Sequence, residues 1–326
     1  MFVFKHLTVT GAAIALSCAL FSASVPAQSY PSKPIRMMLP FPPGAPSDLV
    51  GRFIGQKMSE QMGHNLIADN RVGAGGNLAL GLAASAPPDG YTIVVTSPTV
   101  AISPSLYAKL SYDATKDLAP VARLATIENV LVVHPSVPAK TLKEFVALAR
   151  ARPGVLNYGS GGAGTTNHLA NELLKHLEKI NIVHVPYKGA TLATLAVISG
   201  EVDETIVSVA SILPLIKQGQ VRPLAVLSEK RVSVLPNVPT SKEAGIEGFR
   251  MSIWYAMFAP AGTPRDIINR LSQEAKKALD SKELRQTLDT QSINPWYGTP
   301  EQLADLLKTE TTRYATIIKS AGITPQ

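Results

Sequence analysis

PFPPGAPSD at residues 40–48 and GSGGAGTT at residues 159–166 are the two stretches that decide the fold. Each follows an apolar segment typical of a buried strand and precedes an amphipathic segment typical of a helix. The first backbone N–H groups of a helix have no partner within the helix, and together with the helix dipole they attract anions. The sequence therefore predicts one anion site in each half of the chain, as in a clamp for a small carboxylate.

Strand and helix patterns alternate along the chain. Ile35 to Leu39 is typical of a buried strand, and apolar residues at helical spacing predict a helix from Ser47 to Met62 that Ser47 caps. Because this alternation continues to the C-terminus, we expect an α/β fold with parallel sheets and helices on both faces. In such sheets ligands bind beyond the carboxyl ends of the strands.

The length predicts two domains, because about 300 residues exceed one ordinary core. We assign residues 28–128 together with 252–326 to domain 1, and residues 129–251 to domain 2. The chain would cross between them twice, near Asn129–His134 and near Ile253–Phe258. These two crossings would form a hinge.

The N-terminus has the pattern of a secretory signal peptide. Lys5 and His6 precede an apolar run from Leu7 to Phe21, and Val25-Pro26-Ala27 offers small residues for cleavage after Ala27. We expect residues 1–27 to be removed and the mature protein to be periplasmic, because the run is too short to span a membrane. An uncleaved anchor and lipidation of Cys18, the sole cysteine, are the alternatives. If Cys18 leaves with the signal, the mature chain has no thiol.

The composition argues against a nucleic-acid partner. Lys and Arg number 31 against 24 acidic residues, a net charge of +7, but the basic residues are scattered and do not interleave with aromatic residues.

The motifs also argue against a cofactor, a metal and a catalytic role. Residues 159–164 fit G-x-G-x-x-G, but the next strand ends in Val185-Pro186-Tyr187 and lacks the acid that would hold a ribose. His168, His176 and His184 lie eight residues apart, without H-E-x-x-H. No nucleophile elbow is present. Asp48 is interpreted as a residue that anchors its loop, and His168 as a helix-start residue that either touches the ligand or packs beside it.

Several segments match a known family in order and spacing, over essentially the whole mature chain. They are YPSKPI (30–35), PFPPG (40–44), NRVGAGGN (70–77), PDGY (88–91), VVHP (132–135), LNYGS (156–160), GTTNHLA (164–170), HVPYKG (184–189) and FAPAGTP (258–264). In these segments the chain resembles the Bug family, the periplasmic solute-binding receptors of tripartite tricarboxylate transporters.

The resemblance implies a type II periplasmic-binding-protein fold, with two domains, a two-strand hinge and a ligand cleft between the domains. It implies a small organic carboxylate, held partly through ordered waters, and delivery to a membrane permease of one large and one small subunit. We expect a monomer that needs no cofactor. The resemblance places ligand contacts at Gly44, Ala45, Pro46, Ser47, Asp48, Ser97, Thr99, Ser160, Gly161, Gly164, Thr165, Thr166, His168, Tyr187, Lys188, Gly189, Val207 and Ser208.

Two positions depart from the family pattern. Ala45 stands where the family usually has a second glycine. Val207 stands where members often carry an aspartate, which could pair with an ammonium or hydroxyl group of a ligand. We therefore expect an aliphatic or aromatic carboxylate with a less polar distal half, and not an amino acid. A sensory receptor on the same fold, or a periplasmic enzyme that uses Asp48, His168 or Lys188 on a carboxylic acid, are the alternatives.

Overall fold

The computed structural model describes residues 30–162, 164–187 and 189–325. The expected signal peptide, its cleavage site after Ala27, Cys18 and the site residue Lys188 lie outside the described residues. The chain from Lys33 onward forms one compact unit. Among the described residues, no helix combines the length and the apolar character that crossing a membrane requires.

The first sheet has six strands in the order β11-β4-β10-β3-β1-β2. They are β1 (Ile35–Leu39), β2 (Leu66–Asn70), β3 (Thr92–Thr96), β4 (Leu118–Ile127), β10 (Ile253–Pro260) and β11 (Asn294–Gly298). Its helices are α1 (Pro46–Met62), α2 (Asn77–Ala84, preceded by a 3-10 turn at Ala74–Gly76), α3 (Thr99–Leu106), α8 (Arg265–Asp280), α9 (Lys282–Thr290) and α10 (Pro300–Ser320).

The second sheet has five strands in the order β7-β6-β8-β5-β9. They are β5 (Asn129–Val133), β6 (Asn157–Ser160), β7 (Val183–Pro186), β8 (Glu204–Ser208) and β9 (Arg222–Val226). Its helices are α4 (Leu142–Ala151), α5 (Thr166–Glu178), α6 (Ala190–Ser199) and α7 (Val209–Lys217). The α/β architecture with two sheets is therefore confirmed.

The expectation of parallel sheets is correct for only part of each sheet. β10 runs antiparallel to β3 and β4, and β5 runs antiparallel to β8 and β9. A parallel neighbour requires a crossover of a dozen or more residues, usually a helix. β5 follows β4 after a single residue, Glu128, and β10 enters from the other sheet, so neither strand is brought back by a helix packed on its own sheet.

Four elements were absent from the sequence-based assignment: α3, β4, α9 and β11. α3 contains Pro104, which normally argues against a helix. β4 contains Pro120 and lacks a regular alternation of buried and exposed residues. In both elements tertiary packing outweighs the local pattern, because α3 and β4 pack against the last helix, α10.

The chain passes between the sheets at two adjacent places. It leaves β4 through Glu128, and it returns through the segment that joins β9 to β10. The Asn129 side chain donates to the Met251 carbonyl over 2.6 Å, and the Met251 N–H donates to the Leu227 carbonyl over 3.0 Å. Ser252 donates to the carboxylate of Glu128. The two passages are thus bonded to each other where they leave the sheets.

We expect Asn129→Ala to destabilise the protein. Asn129 is 2% exposed, so its removal leaves the buried Met251 carbonyl without this donor. Such a loss costs about 1–3 kcal/mol of unfolding free energy. Urea denaturation of this variant and of Asn237→Ala, a substitution at an exposed asparagine, provides the measurement. Equal unfolding free energies for the two variants would contradict the assigned role.

Candidate functional site

The expected site residues lie where strands end and helices begin. β1 and β3 are parallel neighbours, so the loops that lead to α1 and α3 leave the same edge of the first sheet. A β-carbon on Gly76 would lie 3.5 Å from both Phe41 Cζ and Thr99 Cγ2, so the segments at Phe41 and Thr99 are close in space. β7 and β8 both run parallel to β6, so the loops that lead to α5, α6 and α7 leave one edge of the second sheet.

The first loop differs from the sequence-based prediction at Ser47. α1 begins at Pro46, with Ala45 at the N-cap and no side-chain cap, so the expectation that Ser47 caps the helix is wrong. Proline is favoured at the first helical position because its φ is already helical, and it moves Ser47 into the helix. Ser47 is buried, and its hydroxyl has no hydrogen-bond partner in the described structure.

Asp48 anchors the first loop, as the sequence predicts. Its carboxylate accepts the Gly44 N–H over 2.9 Å, the Asn70 amide over 2.8 Å and the Arg52 guanidinium over 2.9 Å. Asn70 also donates to the Phe41 carbonyl over 2.7 Å, so it ties both ends of the loop to β2. The roles of Arg52 and Asn70 were missed, although Arg52 stands at the i+4 spacing from Asp48 that places two side chains together on a helix.

These contacts keep Asp48 ionised. Burial alone would raise its pKa, but the hydrogen bonds from Asn70, Gly44 and Arg52, with the charge of Arg52, outweigh burial and leave the pKa below 3.8. Two N–H groups of the first turn of α1, those of Ser47 and Asp48, have no acceptor among the described residues. Ser97 and Thr99 lie at the start of α3, and their hydroxyl oxygens are 3.2 Å apart.

The second loop is less open than the sequence implied. The Gly164 N–H, expected to be free, donates to His168 Nδ1 over 3.0 Å. The Gly162 N–H donates to Ser160 Oγ over 3.1 Å, and Thr165 Oγ1 donates to the Gly162 carbonyl over 2.6 Å. The N–H groups of Thr166 and Asn167, in the first turn of α5, have no acceptor within the described ranges. Both remain available as donors at the N-terminus of this helix.

Gly161 and Gly164 are confined by their neighbours. A β-carbon on Gly161 would lie 3.0 Å from the backbone nitrogen of Ala190, because the loop packs against the start of α6. A β-carbon on Gly164 would lie 2.1 Å from Leu106 Cδ2, and Gly164 has a φ of +76°, which favours glycine. Leu106 is the last residue of α3, so it brings an element of the first sheet onto the loop of the second.

A stack of three rings lies under the second loop. The His168 and His184 rings are 4.1 Å apart, and the His184 and Tyr158 rings are 4.9 Å apart. His184 Nε2 lies 2.6 Å from Ser160 Oγ, and Tyr158 donates to Glu172 over 2.6 Å. His168 is 5% exposed, so it packs beneath the loop. No sequence pattern predicts this stack, since its rings come from three elements.

Burial keeps both imidazoles neutral. It lowers the pKa of His168 from 6.5 to about 4, with a further lowering from His184 and Lys175 and an opposing effect of Glu172. Burial also lowers the pKa of His184.

The remaining expected site residues lie at the starts of α6 and α7. The Tyr187 N–H donates to the Ser160 carbonyl over 2.9 Å, and the Gly189 N–H donates to the Gly161 carbonyl over 3.2 Å, so this segment is held against the second loop. Ser208 caps α7 by accepting the Ser211 N–H. Val207 is 3% exposed and belongs to an apolar cluster with Val130 and Ile212. Within the described residues, no group of three or more His, Cys, Asp or Glu is arranged to hold a metal ion.

Comparison with known proteins assigns the family. Residues 50–323 match the model of the tripartite tricarboxylate transporter family receptor. The chain is 39% identical to a Pseudomonas sp. (strain P51) protein, "UPF0065 protein in tcbD-tcbE intergenic region", over 93% of this chain and 91% of that protein. It is 33% identical to BugT of Bordetella pertussis over 98% of both chains.

Two solved structures support the same assignment. R. palustris Rpa4515 with adipate has a TM-score of 0.80 and 33% identity, covering 91% of this chain and 100% of that one. MatC from Rhodopseudomonas palustris with bound malate has a TM-score of 0.75 and 31% identity, covering 89% of this chain and 100% of that one. The resemblance to Bug receptors is thereby confirmed. The chain belongs to the tripartite tricarboxylate transporter receptor family.

Proposed function

We propose that this receptor captures a small organic carboxylate between its two sheets and delivers it to a permease of one large and one small subunit. The observation that carries the proposal is the pair of helix N-termini at Ser47–Asp48 and Thr166–Asn167, whose backbone N–H groups have no acceptor among the described residues. Such donors, backed by a helix dipole, bind anions. The adipate and malate of the two solved relatives are carboxylates.

Hydrogen bonds from these backbone N–H groups to a carboxylate account for a micromolar affinity. Each bond to a charged group contributes about 1.5–3 kcal/mol. Three or four such bonds, less the cost of ordering the ligand, correspond to roughly −8 kcal/mol and a micromolar dissociation constant.

We further propose a ligand without an ammonium group. Asp48 already accepts hydrogen bonds from Gly44, Arg52 and Asn70, so its carboxylate is engaged. Val207 offers only apolar atoms where many relatives carry an aspartate, and it lies in an apolar cluster. These features favour an aliphatic or aromatic acid.

The same contacts support binding without catalysis. The Asp48 carboxylate is held by three donors, and His168 Nδ1 is occupied by the Gly164 N–H, so neither group is free to act as a general base. We propose a periplasmic monomer, released by cleavage after Ala27. Its domains would comprise residues 28–128 with 252–326 and residues 129–251, with the bonded passages at Glu128 and Ser252 as the hinge.

A thermal-shift and calorimetric screen of the exported protein tests the proposal. The probes are adipate, malate, an aromatic acid and glutamate, with adipamide as the uncharged control for adipate. A ligand at 100 times its dissociation constant adds about 2.7 kcal/mol, which raises Tm by several degrees. We expect a shift with at least one acid and none with adipamide. No shift with any acid, or an equal shift with adipamide, would contradict carboxylate capture.

We expect Asp48→Asn to weaken binding about tenfold, equivalent to about 1.4 kcal/mol. The substitution removes the charge that holds the Gly44 N–H and Arg52, so the loop loses its fixed position. In the unaltered protein the Asp48 contribution to stability is complete above pH 3.8 and is lost as the pH falls through its lower folded pKa. Asp280→Asn, which breaks exposed ion pairs with Lys276 and Arg285, is the control. Calorimetry with the acid that binds best in the screen provides the measurement. If Asp48→Asn bound this acid as tightly as Asp280→Asn does, the anchoring role of Asp48 would be contradicted.

Gly161→Asn and Gly161→Asp form a matched pair for the second loop. Both add bulk beside Ala190, so we expect both to weaken binding. Only the aspartate adds negative charge next to a bound anion, so we expect it to bind at least tenfold more weakly than the asparagine variant, measured by calorimetry at pH 7. Circular dichroism verifies that both are folded. Equal affinities would remove this loop from the anion site.

A further inference from the structure

The stacked imidazoles lie directly beneath the second loop. His168 Nδ1 accepts the Gly164 N–H over 3.0 Å. His184 Nε2 is hydrogen-bonded to Ser160 Oγ over 2.6 Å, and Ser160 Oγ accepts the Gly162 N–H over 3.1 Å. The two rings therefore hold two glycine N–H groups of the loop, one directly and one through a serine.

The hydrogen bonds also define the protonation of His168. Because Nδ1 accepts an N–H, it carries no proton, and the proton of the neutral ring is on Nε2. Nε2 lies 3.9 Å from Glu172 Oε1, which is beyond hydrogen-bond distance but close enough for the charge of the carboxylate to act on the ring. Glu172 is itself fixed by the Tyr158 hydroxyl over 2.6 Å and by the Lys175 ammonium over 2.7 Å.

Resting on the proposed function, we propose that His168 is a positioning residue for the ligand: its neutral ring, supported by stacking on His184, fixes the Gly164 N–H. Gly162 and Gly164 lie four and two residues before the start of α5, and glycine is the most flexible residue in a chain. With their N–H groups bound from below, the first turn of α5 is held so that the Thr166 and Asn167 N–H groups remain directed at the anion. Without the acceptor at Nδ1, the loop loses this orientation.

The groups around His168 keep its Nδ1 atom unprotonated near neutral pH, so that it can accept the Gly164 N–H. The titratable and charged groups that face His168 are Glu172 and Lys175 on α5, His184 on β7 and Tyr158 on β6, with the buried Glu204 on β8 next to Tyr158. Burial, with smaller effects of His184 and Lys175, lowers the pKa of His168 to about 4 against the raising effect of Glu172. The ring is thus neutral from pH 8 to pH 5.5, whereas an ordinary histidine would titrate near 6.5. Its contribution to stability is complete above pH 6.5 and is lost as the pH falls toward 4.

Two neutral variants separate the acceptor from the ring. His168→Asn keeps an acceptor close to the position of Nδ1, and His168→Gln carries its acceptor farther out, near the position of Nε2. Both remove the stack and the titration. We expect His168→Asn to bind adipate or malate within about threefold of the unaltered protein, and His168→Gln to bind at least tenfold more weakly. His176→Gln, a substitution at an exposed histidine of the same helix, should leave affinity unchanged.

Nuclear magnetic resonance supplies a readout that needs no ligand. In the unaltered protein the His168 ring nitrogens should show the neutral tautomer protonated at Nε2. The Gly164 amide should exchange with solvent at least tenfold faster in His168→Gln than in His168→Asn. If no acid binds the unaltered protein, carboxylate capture fails, while these spectra still decide the role of His168.

Three results would overturn the inference. The first is equal affinity, or equal Gly164 exchange, in the asparagine and glutamine variants. The second is a His168 ring protonated at Nδ1. The third is a change near pH 6.5 in the ratio of the dissociation constants of the unaltered protein and His168→Asn. Protonation of the acid itself affects both constants equally and therefore does not change this ratio.

Discussion

The bonded pair of passages between the sheets is the constraint on which the rest of the structure depends. Glu128 separates β4 from β5 by a single residue, and the Asn129 side chain reaches the Met251 carbonyl on the returning strand. These short connections bring the carboxyl ends of β1 and β3 into reach of those of β6 and β8. Each loop alone would be an ordinary helix N-terminus. The proposed anion site, shared by the two loops, requires that both sheets be tied together at one place.

The two loops are stiffened by different chemistry. In the first, a carboxylate on α1 gathers three donors, so the anchor is charged and partly open to solvent at Arg52. In the second, the buried His168 ring accepts the Gly164 N–H, and His184 is bonded to Ser160, whose hydroxyl accepts the Gly162 N–H. A second carboxylate beside the second loop would repel the anion at short range. Neutral imidazoles fix the backbone without adding negative charge at the proposed carboxylate site.

Much of the fold and part of the site could be predicted from the sequence. An apolar run predicted β1, and the position of Asp48 near the start of its helix predicted a loop anchor, because these features depend on neighbours in the chain. α3 and β4 could not be predicted, since Pro104 and Pro120 obscure them and their packing against α10 decides their structure. The stack of Tyr158, His168 and His184 was missed because three separate elements contribute it. For the same reason the engagement of the Gly164 N–H could not be anticipated.

Leu106 links α3 to the second loop at Gly164. A β-carbon on Gly164 would lie 2.1 Å from Leu106 Cδ2, so α3 packs against the loop through apolar protein atoms alone. In the proposed hinge motion, this packing would favour the arrangement in which the two loops face each other, independently of any acid. The apparent affinity scales with the fraction of molecules already in the binding-competent state. The size of the side chain at position 106 would therefore change the apparent affinity. Affinity can thus be altered at α3 while every ligand contact stays the same.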